Sequence, residues 1–361
     1  MTYTQNEKAI IWLSLFEKLT LVKAKMLLSQ YSEPKQIIEN LEKDKNQIIK
    51  IVGESIYYKM LKADQGILNS YLDKLQSQGI ICLTIASSNF PEKLMEIKEA
   101  PIILFTKGDL GLLNKKAVAI VGTRKPTAYG RELSATFAQK LSKNGVVIVS
   151  GLASGVDKFA HEASVKSGKT IAVLGGGFNH IYPAMNTNLA EEIAKKGLLI
   201  TEYRPDIAPT KYSFPFRNRI ISALSDGVFI AEAGAKSGAL YTKDYALKQG
   251  KLVFVAPANI NNPRAEGSNN VLKNREGIMV TCPEDILASI GVMGQAEEPQ
   301  QQTVQLSVDD QAILSAIEDK PQTFDELQNI TKLPSKILSS CLTMLQIRGL
   351  IKKLPGNEYS L

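Results

Sequence analysis

The chain reads as an α/β protein built on a doubly wound parallel sheet, with a helical region before the sheet and a winged-helix region after it. Three observations predict this. Apolar, β-branched runs recur through the centre, separated by helical stretches. Several of these runs end in glycine-containing turns. A polar stretch rich in Gln, Glu and Pro then sets off a last segment that reads as three helices and a hairpin.

Residues 1–80 show helical periodicity and almost no strand signal, with Leu19 to Leu28 as the second half of a short helical hairpin. A small SAM- or helix-hairpin-helix-like packing domain is expected, in preference to a nucleic-acid-binding helical module. The centre, residues 81–292, changes character. Ala117–Val121, Val146–Val149, Ile171–Leu174, Leu198–Ile200, Val228–Ile230 and Leu252–Val255 are continuous apolar runs. Such runs suit parallel strands buried on both faces. The first is followed by a helical stretch at about residues 128–143, closed by Asn144-Gly145. An extended Rossmann-like domain is therefore predicted. Residues 293–307 have few apolar side chains and read as a linker. In residues 308–361, Gln311–Glu318, Thr323–Thr331 and Pro334–Arg348 read as helices, and Leu350–Asn357 as a small hairpin, which is the winged-helix pattern.

Composition excludes several classes. With 361 residues, 44% of them hydrophobic and 22% charged, the chain is neither fibrous nor disordered throughout. No apolar run approaches the roughly 18 residues that span a bilayer. The burst Ile10–Leu13 reads as core, not as a signal peptide. Cys82, Cys282 and Cys341 make neither a disulfide framework nor a zinc spacing, and only His161 and His180 are present. A cytoplasmic protein without metal or cofactor is expected. The net charge is +7. Residues 1–80 carry 11 Lys/Arg against 9 Asp/Glu, and residues 308–361 carry 6 against 7, so the excess lies in the centre. The centre is thus the candidate for touching a polyanion.

The glycine turns fall where a doubly wound sheet binds ligands, at the carboxyl ends of strands. Gly122-Thr123-Arg124 follows the first run, Ser150-Gly151-Leu152-Ala153-Ser154-Gly155-Val156-Asp157 the second, and Gly175-Gly176-Gly177 the third. Backbone amides at such turns, next to helix N-termini, would make an anion cradle. No G-x-x-x-x-G-K-[ST] and no G-x-G-x-x-G after the first strand is present, and Ser154 is misplaced for a nucleophile elbow. Arg204 to Arg219 reads as one long loop that interleaves cations with aromatics. Cations hold phosphates and aromatic faces stack unpaired bases, so Lys211, Phe214 and Arg217 point to a single strand. Phe216 reads instead as a cap on the core. Glu232 opens a fourth glycine turn, with Ser237 as N-cap of the helix that follows. A structural role for Glu232, such as holding Arg219, is favoured over that of a general base.

These motifs, with Tyr182-Pro183 and Asn186, Phe214-Pro215-Phe216-Arg217-Asn218-Arg219-Ile220-Ile221, and Glu232-Ala233 with Ser237-Gly238, resemble the DprA (Smf) family of DNA-processing proteins. The order of the three regions resembles that family as well. Two departures are Thr123, where serine is common, and the lack of a glycine directly after Pro257. The resemblance implies binding of single-stranded DNA in the Rossmann domain, homodimers, and loading of the recombinase RecA during natural transformation, which protects incoming DNA. It further implies single-strand-binding protein as an additional partner, no membrane association and no catalysis. Arg124 matches the family's phosphate-binding arginine, Lys211 and Phe214 its DNA-contacting lysine and aromatic, and Arg217-Asn218-Arg219 its arginine-asparagine-arginine motif. The candidate single-strand and phosphate-binding set is Gly122, Thr123, Arg124, Ser150, Gly151, Ala153, Gly155, Gly176, Lys211, Phe214, Arg217, Asn218, Arg219, Ser237 and Gly238. The alternative reading is a Rossmann-fold, phosphoribohydrolase-like enzyme. Its P-G-G-x-G-T-x-x-E signature is absent, and residues 232–238 stand in its place.

Overall fold

A computed structural model describes residues 2–292, 307–318, 320–347, 350–354 and 358–360. Residues 1–295 form one compact unit and 296–361 a second.

The first unit is organised by a nine-stranded sheet. Its strands are β1 (Ile81–Thr84), β2 (Ile103–Gly108), β3 (Ala117–Gly122), β4 (Val147–Ser150), β5 (Thr170–Val173), β6 (Leu198–Thr201), β7 (Gly227–Glu232), β8 (Leu252–Val255) and β9 (Ile278–Met279). Their order is β1-β2-β6-β5-β4-β3-β7-β8-β9. From β6 to β9 all pairings are parallel. The period-two alternation of a strand explains why the central runs are apolar throughout. Ala117, Ala119 and Val121 of β3 enter the core on one face of the sheet, and Val118 and Ile120 enter the core on the other.

The sheet is larger than the apolar runs predict. β1 and β2 extend it on the β6 side, and both are antiparallel to their neighbours, with Ile81 opposite Thr106 and Phe105 opposite Thr201. No crossover helix is needed to reach an antiparallel strand, so the strand–helix alternation that reveals β3 to β8 is silent here.

Before the sheet lie the helices Gln5–Ser14, Leu21–Leu28, Gln36–Glu39, Lys45–Val52, Glu54–Lys62 and Gln65–Ser77. They do not fold around a private core. Ile10, Ile11, Trp12 and Leu13 share one buried cluster with Cys82, Ile103 and Phe105 of the antiparallel strands. Each such large side chain contributes about 1.5–3 kcal/mol on burial, so the helices and the sheet edge stabilise one another. The Trp12 indole N–H is satisfied by the Ala63 carbonyl at 2.9 Å.

The second unit contains the helices Val308–Ala316, Phe324–Thr331 and Ser335–Ile347, and the strands β10 (Gln322–Thr323), β11 (Lys352–Leu354) and β12 (Glu358–Ser360) in the order β10-β12-β11. Ser307 with Asp310, and Thr323 with Glu326, form capping boxes that start the first two helices. Ile313, Leu327, Leu338, Leu342 and Tyr359 fill its core. This is a winged-helix arrangement. The linker expected at 293–307 lies outside the described residues, except for Ser307, as does the hairpin turn at 355–357.

Candidate nucleic-acid interface

β3 has β4 on one side and β7 on the other, so the strand order reverses between them. A crevice is expected at the carboxyl ends of strands at such a point. A cleft of about 710 Å³ opens there. Gly122, Thr123, Arg124, Ala153, Lys211, Phe214, Arg217, Asn218, Ser237 and Gly238 line it, so ten of the fifteen predicted residues come together.

Arg124 is exposed at the rim, with its guanidinium 5.8 Å from the centre of the Phe214 ring. Tyr182 packs against the same ring, with centroids 5.3 Å apart and planes tilted by 47°. Tyr182 is 53% exposed. Lys211 is exposed and lies 5.0 Å from the Tyr212 ring. The rim thus offers cations beside half-open aromatic faces, at atoms that a polyanion with unstacked bases could reach.

The floor differs from the expected cradle, because three of its amides already have acceptors inside the protein. The Thr123 amide donates to the Glu232 carbonyl at 2.7 Å, and the Val156 amide to the Thr123 carbonyl at 3.2 Å. The Gly151 amide donates to Asp157 Oδ2 at 3.0 Å. Gly151 is needed for close approach: a Cβ there would lie 2.5 Å from Arg217 Nη2. Gly155 has φ of 81°, and a Cβ on it would run into the Thr123 carbonyl. Gly176 is closed over by Pro209, and the Ser150 hydroxyl donates to the Ile120 carbonyl at 2.7 Å. Ser150, Gly151, Gly155 and Gly176 therefore shape the turns instead of lining the main cleft. Gly151 lines only a small adjoining pocket of about 50 Å³.

Two arginines sit deeper than the rim residues. Arg217 is 4% exposed and forms the floor. Its Nη1 donates to the Gly151 carbonyl at 2.9 Å and to that of Val173, and its Nε to Asn218 Oδ1 at 3.1 Å. Burial lowers its pKa to about 10, partly offset by the Asp157 carboxylate. The Asp157 carboxyl is in turn pushed up by burial and held back by Arg217 and the Gly151 amide. Arg219 points away from the cleft altogether. It is fully buried and pairs with Glu202, and its guanidinium lies 3.8 Å from the Phe216 ring. Phe216 is half-buried against the Arg219 guanidinium and lines a cavity, so it belongs to none of the apolar core clusters.

Glu232 has a structural role, although its partners differ from the one expected. Its carboxylate accepts from the Thr127 amide at 2.7 Å, the Thr127 hydroxyl at 2.8 Å and Asn262 Nδ2 at 2.8 Å. It anchors the start of the helix Ala128–Lys143, and both its oxygens have donors.

The long loop is shorter than the sequence suggests. A helix begins at Ser213 and runs to Leu224, so Phe214, Arg217, Asn218 and Arg219 project from its first two turns. Pro215 is tolerated there, because first-turn amides have no intrahelical acceptor. Asn218 Nδ2 reaches the Gly238 carbonyl at 3.3 Å and ties this helix to the turn after β7. The following helix is Ala239–Lys248 with Gly238 at the cap position, one place later than expected, and Ser237 Oγ accepts from the Ala239 amide at 3.3 Å.

Tyr182, Lys236 and Tyr241 also line the cleft and were missed as site residues. Tyr182 and Lys236 sit in segments singled out in the sequence, but nothing local assigns them a role. Tyr241 lies on a helix placed by contacts distant in sequence, such as Lys243 to Glu276 at 2.6 Å. Among the described residues no cluster of metal-binding side chains occurs, and no helix is long and apolar enough to cross a membrane.

Comparison with known proteins agrees with this architecture. Residues 81–291 match the family model for DNA recombination-mediator protein A, and residues 297–357 match the DprA winged helix domain. The chain is 46% identical to the DNA processing protein DprA of Bacillus subtilis, over 53% of this chain and 65% of that protein. It is 32% identical to the protein Smf of a Synechocystis species, over 92% of this chain and 94% of that protein. The crystal structure of DNA processing protein A from Streptococcus pneumoniae superposes with a TM-score of 0.66 at 33% identity, covering 80% of this chain and 98% of that one. The Helicobacter pylori DNA processing protein A, solved for its single-stranded DNA binding mode, superposes with a TM-score of 0.54 at 37% identity, over 58% of this chain and 95% of that one. With both family models matched in order and the Synechocystis relative aligned over 92% of this chain, the chain belongs to the DprA/Smf family of DNA-processing proteins.

Proposed function

We propose that the cleft binds single-stranded DNA. The observation that carries this is the juxtaposition of exposed Arg124 with the Phe214–Tyr182 pair at the mouth of the cleft. Base faces are hidden in a duplex, so stacking surfaces beside cations favour an unpaired strand. Arg124, Lys211 and Lys236 neutralise phosphates, Phe214 and Tyr182 stack bases, and Arg217 supplies positive potential from below. The single-stranded DNA binding mode studied in the H. pylori relative supports the same reading.

On this reading the protein covers incoming single strands and hands them to RecA during natural transformation, as a homodimer and in contact with single-strand-binding protein. It acts by binding and not by bond cleavage. Titration of labelled single-stranded and duplex oligonucleotides at two salt concentrations tests the binding step. A preference for single strands that weakens steeply with salt is expected. Equal affinity for duplex, or indifference to salt, would sink the proposal. RecA filament formation on strands coated with single-strand-binding protein, with and without this chain, tests the loading step.

A further inference from the structure

The loop that presents Lys211 is held from two sides. On the sheet side its backbone is pinned. The Gly177 amide donates to the Ile207 carbonyl at 2.7 Å, and the Asn179 amide to the Pro205 carbonyl at 3.0 Å. On the other side Arg204 reaches into the helical region. Its Nη1 donates to the Leu15 carbonyl at 2.6 Å, and its Nη2 meets Glu17 Oε1 at 3.2 Å and Asp206 Oδ2 at 3.0 Å. Leu15 caps the helix Gln5–Ser14, so its carbonyl belongs to the set that a helix leaves unsatisfied, at the negative end of the dipole. A planar guanidinium fork suits several acceptors at once. The Arg204 side chain is only 15% exposed, which limits screening of these contacts.

Beside this contact lies a cavity of about 350 Å³, lined by Leu13, Phe16, Leu19, Ile103, Ile207 and Phe216 as well as by Arg204 itself. The helices and the loop face each other across this space at Arg204, while Phe178 packs the adjoining turn onto the helical core. The polar reach of Arg204 spans the gap.

We propose that Arg204 is a positioning residue, which sets the presentation of Lys211 by tying its loop to the end of the first helix. This rests on the reading of the cleft as a site for single strands. The N-terminal helices then tune affinity without touching nucleic acid. If the tie is cut, the loop spends less time in the competent arrangement, and apparent affinity falls by that fraction.

The test uses the full chain and labelled oligo-dT, with the variants Arg204→Ala, Arg204→Lys, Lys211→Ala and the double variant Arg204→Ala/Lys211→Ala. Arg204→Ala should weaken binding about tenfold, if the competent population drops to about a tenth. Arg204→Lys keeps one charged donor, should fall in between, and remains informative if the alanine variant does not fold. Amide exchange in residues 204–212 should quicken without DNA while the strands stay protected, and the double variant should bind no more weakly than Lys211→Ala. Wild-type affinity in both Arg204 variants, with Lys211→Ala weakened, would overturn the positioning role alone. Fully additive losses in the double variant would overturn it too. Wild-type affinity in Lys211→Ala would instead overturn the reading of the loop as part of the binding site.

Discussion

Arg219 donates to both carboxylate oxygens of Glu202, at 2.9 and 2.5 Å, with no part of the Arg219 side chain exposed. The same guanidinium donates to the Glu99 carbonyl at 2.9 Å and to the Phe216 carbonyl at 3.1 Å. One residue thereby joins the helix that floors the cleft to the end of β6 and to the segment before β2.

Arg219→Ala should therefore cost about 3–5 kcal/mol, because Glu202 is left largely buried without its partner. Arg219→Lys should recover little, since an ammonium cannot reproduce the fork. Urea denaturation measures both. A midpoint unchanged by Arg219→Ala would refute the structural assignment.

At the rim, stacking and charge should separate experimentally. Phe214→Ala should cost about 1–3 kcal/mol of single-strand affinity with little change in salt dependence. Lys211→Ala should flatten the plot of log affinity against log salt by about 0.7, because one phosphate is no longer neutralised. If both variants weaken binding with the same change in slope, the division of labour between ring and ammonium is wrong.

The glycine turns offer a contrast. Gly155→Ala forces a Cβ against backbone at a positive φ, and a loss of about 1–3 kcal/mol is expected. Gly238→Ala meets nothing within 4 Å and should fold as the wild type does. Thermal melts of the two variants decide the matter, and equal stabilities would contradict it.

His161 predicts an acid limit. It is fully buried, 2.7 Å from the Thr170 hydroxyl, and burial lowers its pKa to about 3, with the charge of Arg217 adding to the effect. In the unfolded chain a histidine titrates near 6.5, so between roughly pH 6.5 and 3 the unfolded state binds more protons. This residue's contribution to stability is complete above that window and is lost as pH falls through it, at up to about 1.4 kcal/mol per pH unit. His161→Asn should flatten this dependence. An unaltered slope in denaturation at several pH values would assign the acid sensitivity elsewhere.

The apolar runs from Ala117 to Val255 reveal the parallel strands in the sequence because both faces of each are buried, and nothing polar interrupts them. β1 and β2 lie outside that logic, since their partners are set by an antiparallel return and by the helices packed on them. At the site, Arg124, Lys211 and Phe214 were legible from type and position, whereas exposed Tyr182, Lys236 and Tyr241 were not. Nor was it legible whether a turn amide faces outward or inward. That depends on carboxylates and carbonyls brought from elsewhere, as Asp157 is to Gly151 and the Glu232 carbonyl to Thr123. The inward turn of Arg219 likewise depends on Glu202, which lies in another strand end.

The inward commitment of the Thr123, Gly151 and Val156 amides has an evolutionary corollary. The cleft base is a finished piece of architecture before any guest arrives. On the proposed reading, grip resides in surface side chains that can be exchanged without reopening the scaffold. Descendants of such a chain could retune strength or preference for anionic polymers by altering a handful of rim positions, while the sheet underneath stays unchanged.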